Sequence, residues 1–193
     1  MSYLPDHFTD NSWTTIQSFI EHFPLATLIS SYNNEIFTSH IPFIVDNNKL
    51  LGHINKDNPQ FNHLHLSKVE LVFHGGDSYI SPSAFVTEEL PTFNFAKVHI
   101  KGQASYVQES NLIKSLVDMT SQLDDQFKLS YEHPKIDKLK HFIQGLEVNI
   151  EDVNGRFKMS QDKSNHHFKK AKDLFSKTQK ARMNWLLKQL EQK

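Results

Sequence analysis

Residues 25–54 contain three short apolar runs, joined by turn residues and not by any helical spacing. Leu25–Ser31 is the first, Asn33-Asn34 supplies a turn, and Glu35–Val45 resumes as a second strand. Asp46-Asn47-Asn48 then leads into a third, Leu50–Ile54. Asn and Asp suit such connections because they tolerate left-handed backbone and bond locally to it. Strands joined this tightly must be antiparallel, since a parallel pair needs a crossover of about a dozen residues or more. The segment reads as a meander, with the second strand paired to the third, and it commits the chain to an antiparallel sheet or barrel. Alternation along the second strand places Phe37, Ser39, Ile41 and Phe43 on one face, and Thr38, His40 and Pro42 on the other.

The flanking segments fit around that sheet. Trp13, Ile16, Phe19, Ile20 and Phe23 recur at helical spacing after Asp10-Asn11-Ser12, predicting a helix from Ser12 to about His22. After Lys56-Asp57-Asn58-Pro59, one or two helical turns run to Leu66, followed by strands at about Val69–His74 and Lys97–Val107. Leu112, Leu116, Met119 and Leu123 mark a helix from Glu109 to about Phe127, and a shorter one follows Pro134. Gly145–Asp152 alternates as a strand, and Asn154-Gly155 is the best hairpin signal in the chain, predicting a return along Arg156–Ser160. A long helix begins near Asn165. Six or seven strands without βαβ alternation indicate an α+β protein built on an antiparallel barrel with peripheral helices. Residues 1–164 form the barrel domain, and 165–193 a basic amphipathic helix packed on that domain or on a dimer mate.

Composition narrows the chemistry. The 193 residues include no cysteine, which excludes disulfides, thiolate metal sites and cysteine nucleophiles, and fits a reducing cytoplasm. The first 30 residues carry no Lys or Arg, so a signal-peptide n-region is not expected. No apolar run approaches the roughly 20 residues needed to span a bilayer. G-x-G-x-x-G, Walker A, G-x-S-x-G and H-E-x-x-H are all absent, which removes the marks of dinucleotide-fold, P-loop, α/β-hydrolase and zincin chemistry. Charge is uneven. Residues 158–193 hold ten Lys/Arg against three Asp/Glu (+7), and residues 1–157 hold eleven against nineteen (−8).

Two places stand out as candidate sites. Between Tyr79 and Phe95, hydroxyls and an amide alternate with aromatics beside Pro82 and Pro91. Such a segment offers hydrogen bonds on a stiff backbone and ring faces for a planar group, although it also suits a connector covering one barrel end. Gly52-His53, Lys56 and Asn58 bring an imidazole, an ammonium and an amide to a strand end, a donor set that suits a phosphate. An ordinary exposed turn has the same composition.

The runs YISPS and PTFNF-x-x-VH-x-x-G, preceded by TSHIPF and LLGHINKDNP and followed by IQGLEVNI…GRFKMSQDK, resemble the PaiB family of FMN-binding negative transcriptional regulators. The resemblance spans roughly residues 2–165. It departs from the family at Ala84-Phe85, where Trp-Tyr is usual, at Phe93 and Phe95, where PTWNY is usual, and at Gly76-Asp77-Ser78. It implies a split-barrel flavin-binding fold, a homodimer with FMN between subunits, and FMN as sensor or redox ligand. His53, Lys56 and Asn58, with His40, would then take the FMN phosphate. Tyr79, Ser81, Thr92 and Asn94 would contact the ring edge or ribityl chain, with His99 and Gln161 as further contacts.

Two other classes compete: an FMN-dependent oxidoreductase using a reduced nicotinamide, and a haem-binding or haem-degrading protein with His74 or a tail histidine as ligand. Among twelve histidines, the pairs His63/His65 and His166/His167 lack carboxylates at ligand spacing, so exposed polar roles are expected and no metal site. Lys169, Lys170, Lys172, Lys177, Lys180, Arg182 and Lys188 are the residues that speak for DNA, but they scatter around the helix and no helix-turn-helix pattern accompanies them.

Overall fold

The computed structural model describes residues 5–85 and 90–191. Its strands are β1 (Leu25–Tyr32), β2 (Glu35–Pro42), β3 (Ile44–Asp46), β4 (Lys49–Asn55), β5 (Lys68–Ile80), β6 (Thr92–Tyr106) and β7 (Ile143–Lys158). Its helices are α1 (Trp13–His22), α2 (Glu109–Leu123), α3 (Pro134–Leu139) and α4 (Asn165–Leu190). The seven strands form one sheet in the order β2-β1-β5-β6-β7-β4-β3, and the α+β split-barrel architecture expected from the sequence is what the chain adopts. Contacts divide the chain into a larger unit, Asn11–His74 with Val98–Asn154, and a smaller one made of the described parts of Met1–Asp10, Gly75–Lys97 and Gly155–Lys193. Among the described residues, no helix is long and apolar enough to cross a membrane.

In the larger unit, Asn33 and Asn34 take φ of 50° and 64° and close the β1–β2 hairpin, which runs from Tyr32↔Glu35 to Leu25↔Pro42. Asn47, at φ 55°, turns β3 into β4. The meander, however, does not continue. The expected second strand breaks at Phe43, whose side chain is fully buried and whose amide donates to Pro24 O at 2.9 Å. Pro42 has no N–H to extend the ladder. The chain therefore redirects, β4 pairs with β7 instead of β2, and β1 pairs with β5. β2 still contacts β4, so the two ends of the sheet meet and the barrel curls towards closure.

The core is built from the alternation that specified the strands. Leu28, Leu50, Ile54, Leu71, Phe73, Ile100 and Leu146 are fully buried, and α1 adds Ile16 and Ile20. Each such side chain contributes about 1.5–3 kcal/mol relative to an exposed one. A second cluster joins Leu112 and Leu116 of α2 to Ile143, with Val107 and Leu129 against it.

The smaller unit departs from expectation in two places. The strands expected to end at His74 and begin near Lys97 run on to Ile80 and start at Thr92. Gly76 sits at φ 100°, a conformation that lets the strand kink and continue. The predicted hairpin at Asn154-Gly155 is also absent, since β7 passes straight through it. Neither residue takes positive φ. Asp10 N donates to Gly155 O at 3.1 Å and Thr9 bridges Arg156, so pairing with the N-terminal segment overrides the local turn preference.

α4 begins where predicted, capped by Ser164. As far as Arg182 it is tied down by buried Ala171, by Ser78 Oγ donating to Thr178 Oγ1 at 2.9 Å, and by Arg182 on Asp77 at 2.6 Å. Beyond Arg182 the apolar residues Met183, Trp185, Leu186, Leu187 and Leu190 are exposed.

Candidate functional site

In the larger unit, Ser39, His40, His53, Asn55, Asn58 and Ile143 surround an open cavity of about 510 Å³, within the usual size of ligand sites. Strand alternation explains the arrangement. Leu50 and Ile54 of β4 point into the core, which leaves His53 on the other face. His40 is outward on β2 beside buried Ile41. The structure therefore brings His40, His53 and Asn58 together as expected, although β2 and β4 are not ladder partners and meet only where the sheet's ends approach.

The polar groups differ in how they are engaged. Asn58 donates to Ser39 Oγ at 2.8 Å, and its Oδ1 accepts from Gln60 N at 3.0 Å, capping a 3-10 turn over Pro59–Asn62. His40 Nδ1 lies 3.3 Å from the Thr27 hydroxyl, which also bonds His74 Nε2 at 3.1 Å. His53 is different: its Nδ1 is buried and has no hydrogen-bond partner. Burial lowers the His53 pKa from its ordinary value, keeping the imidazole neutral near pH 7. An orphaned buried ring nitrogen costs about 1–3 kcal/mol unless something answers it. Lys56 does not line the cavity. Its ammonium is exposed and reaches Lys140 O at 3.4 Å. His99 is also outside the lining, half-buried and paired with Glu70 at 2.8 Å.

The remaining candidates lie in the smaller unit. Tyr79 and Phe93 are exposed, with rings edge-on at 5.6 Å. Ser81 caps the 3-10 turn Pro82–Ala84. Thr92 Oγ1 accepts from Lys158 Nζ at 2.6 Å, and both line a cavity of about 580 Å³. Asn94 is fully buried: its Oδ1 accepts from Ser160 Oγ at 3.0 Å, while its Nδ2 has no partner. Gln161 folds back on its own loop, accepting from Met159 N at 2.7 Å and donating to Phe157 O and His7 O. Ser81 and Gln161 thus perform the capping that short polar side chains commonly provide.

Sequence reasoning passed over Ser39, Lys158 and Ser160. Ser39 carried a usable signal, a hydroxyl on the face otherwise holding Phe37 and Ile41. Ser160 takes φ of 64°, which its residue type does not announce. Two histidines expected at the surface are buried. His63 bonds Ser30 Oγ at 2.9 Å and stacks on Tyr32, and His167 lies against Phe85. Among the described residues no group of three His, Asp or Glu is arranged for a metal ion.

The sequence profile of the family described as "Putative FMN-binding domain" matches residues 2–152. The protease synthase and sporulation protein PAI 2 of Bacillus subtilis (strain 168) is 26% identical over 173 residues, which cover 84% of this chain and 83% of that one. Among solved structures, the FAD and haem binding protein of Mycobacterium smegmatis superposes with a TM-score of 0.65 at 13% identity, over 83% of this chain and 78% of that one. The flavocytochrome Anf3 of Azotobacter vinelandii gives 0.63 at 16% identity, over 80% and 72%. These two likenesses establish the split-barrel fold. The residues present fit the phosphate end of FMN, because a buried unpartnered ring nitrogen, a second imidazole, an amide and a hydroxyl share one cavity. With most of its length matched by the family profile, the chain belongs to this FMN-binding domain family, the PaiB family to which its motifs point.

Proposed function

We propose that the protein binds FMN with the phosphate in the β2–β4 cavity and acts as a PaiB-type, flavin-responsive regulator in the cytoplasm. The observation that carries this reading is the His53 imidazole, buried at Nδ1 without a partner in a cavity it shares with His40 and Asn58. His53 and Asn58 hold the phosphate, and Lys56, at the rim of the same loop, swings from Lys140 O to supply the missing cation. Tyr79, Ser81, Asn94, His99 and Gln161 are the proposed contacts for the rest of the flavin. When bound, FMN supplies one- or two-electron redox chemistry at its ring system.

The working form is a homodimer with the flavin at the subunit interface. The exposed Met183, Leu186, Leu187 and Leu190, at i, i+3, i+4 and i+7 on α4, support a second copy as partner. So does charge, since a +7 tail meets a −8 body more favourably than another +7 tail. DNA is the partner that the resemblance to PaiB-type regulators suggests, with the α4 lysines as its contacts.

The phosphate assignment is tested by titrating FMN and riboflavin in parallel at about pH 8 and pH 6. A phosphate beside His53 favours the imidazolium, so FMN binding takes up a proton and strengthens as pH falls, while riboflavin binding changes little. Lys56→Ala should weaken FMN about tenfold, a loss of about 1.4 kcal/mol, and riboflavin by less than about twofold. Equal loss for both flavins, or an FMN affinity independent of pH, contradicts the assignment.

A further inference from the structure

The larger of the two cavities lies within the smaller unit, where Phe8, Leu90, Pro91, Thr92, Lys158, Ser160, Asp162 and Lys163 surround about 580 Å³. Lys158 is half-buried, and its ammonium has a hydroxyl partner, Thr92 Oγ1 at 2.6 Å, and the Phe8 ring at 6.0 Å. No carboxylate among the described residues is ion-paired with it. A half-buried ammonium with a hydroxyl partner but no ion pair keeps donors available for an anion.

The floor of the cavity repeats the pattern. Ser160 lines it, is buried, and holds a left-handed backbone at φ 64°, which costs a non-glycine residue of order 1–3 kcal/mol. That conformation lets its hydroxyl donate to Asn94 Oδ1, so the Asn94 amide is oriented with its NH₂ buried and unpartnered. Thr92 and Asn94 share one face of β6, two residues apart. A cation without an ion pair and a hydroxyl therefore meet on one wall, with the Ser160–Asn94 pair packed beside them. Phe8, Leu90 and Pro91 make the other wall apolar. Asp162 offers a carboxylate at the rim and limits the net positive charge of the lining, which with Lys163 is +1.

We propose that this cavity binds a small organic anion, with its carboxylate or phosphate group on Lys158 and Thr92 and its apolar part against Phe8, Leu90 and Pro91. The ligand is a second effector, recognised by different residues from those assigned to the flavin phosphate. Thr92, which the family resemblance offers to the flavin, belongs to this site instead.

The test is an NMR titration of the full chain with benzoate, phenyl phosphate and inorganic phosphate, on wild type, Lys158→Met and Lys158→Arg. Benzoate or phenyl phosphate should bind saturably and at least about tenfold more tightly than inorganic phosphate, because the free ion leaves the apolar wall unused. Lys158→Met should lose at least about tenfold in that affinity and Lys158→Arg should retain most of it, with unchanged amide spectra reporting an intact fold. FMN affinity should be the same in all three proteins. Failure of both organic anions to bind overturns the proposal, as does inorganic phosphate binding as tightly as phenyl phosphate. A Lys158→Met protein that loses FMN by the same factor would give the cavity to the flavin and also overturn it. A wild type that binds no FMN yet binds benzoate through Lys158 would refute the flavin assignment and leave this one standing.

Discussion

Phe43→Ala should destabilise the protein by about 3–5 kcal/mol, lowering the midpoint of thermal unfolding by about 6–20 °C. Phe43 is fully buried and sits at the break between β2 and β3. Its ring edge also packs where a Cβ on Gly52 would lie, 2.9 Å from the Phe43 ring carbons. The substitution therefore opens a cavity directly beneath the strand that carries His53. The neighbouring backbone is already tied to Pro24 O and to the β3–β4 ladder, so collapse into the space is limited. FMN affinity should fall together with stability, because His53 loses the support behind it. Calorimetry checks the first effect. A midpoint within about 2 °C of wild type would show that Phe43 does not hold the barrel seam.

Gly102→Ala is expected to be comparably severe by the opposite mechanism. A Cβ at Gly102 would lie 2.2 Å from Asn149 O and 3.1 Å from Asn149 C, with Val148 Cγ1 at 2.9 Å. Asn149 belongs to β7, the sheet neighbour of β6, so the clash is with backbone and no rotamer relieves it. β6 and β7 would have to separate at the middle of the sheet. Overpacking costs about 1–3 kcal/mol where side chains can yield. Here the loss should reach or exceed the upper figure, a fall of about 6–12 °C or more in the unfolding midpoint. An alanine protein that unfolds within about 2 °C of wild type would mean that β6 and β7 are not in this close register.

Local chemistry made much of the fold legible. Asn33-Asn34 closes the first hairpin because Asn accepts the left-handed backbone there, and the spacing from Trp13 to Phe23 defines α1 almost to the residue. What escaped sequence reasoning was decided by distant partners. Asn154-Gly155 is a strong turn signal in isolation, yet Thr9 and Asp10 pair with the segment and keep it extended. The strand expected to end at His74 runs on, because positive φ at Gly76 lets β5 continue to Ile80. Nothing local revealed that the strand after Phe43 would pair with β4 and leave β2 at the opposite edge.

The candidate site divides in the same way. His40, His53 and Asn58 are brought to one cavity because strand alternation placed both histidines outward and Asn58 caps the turn after β4. Lys56 has the expected charge at the expected place, but its side chain turns to Lys140 O, a choice set by α3 and invisible in the sequence of the loop. Lys158 and Ser160 were missed because their meaning depends on what they lack, a counter-ion in one case and an ordinary backbone conformation in the other.

The central claim is that this member of the family binds FMN with Ala84, Phe85, Phe93 and Phe95 at the positions where the family resemblance implies Trp or Tyr. The most direct measurement is the visible absorption spectrum of purified protein after incubation with excess FMN and removal of the unbound fraction. The account predicts that the two visible bands of an oxidised flavin remain with the protein, at a stoichiometry approaching one per chain, and that they shift from their positions in free FMN. Protein that emerges colourless, with all added FMN in the free fraction, would contradict it.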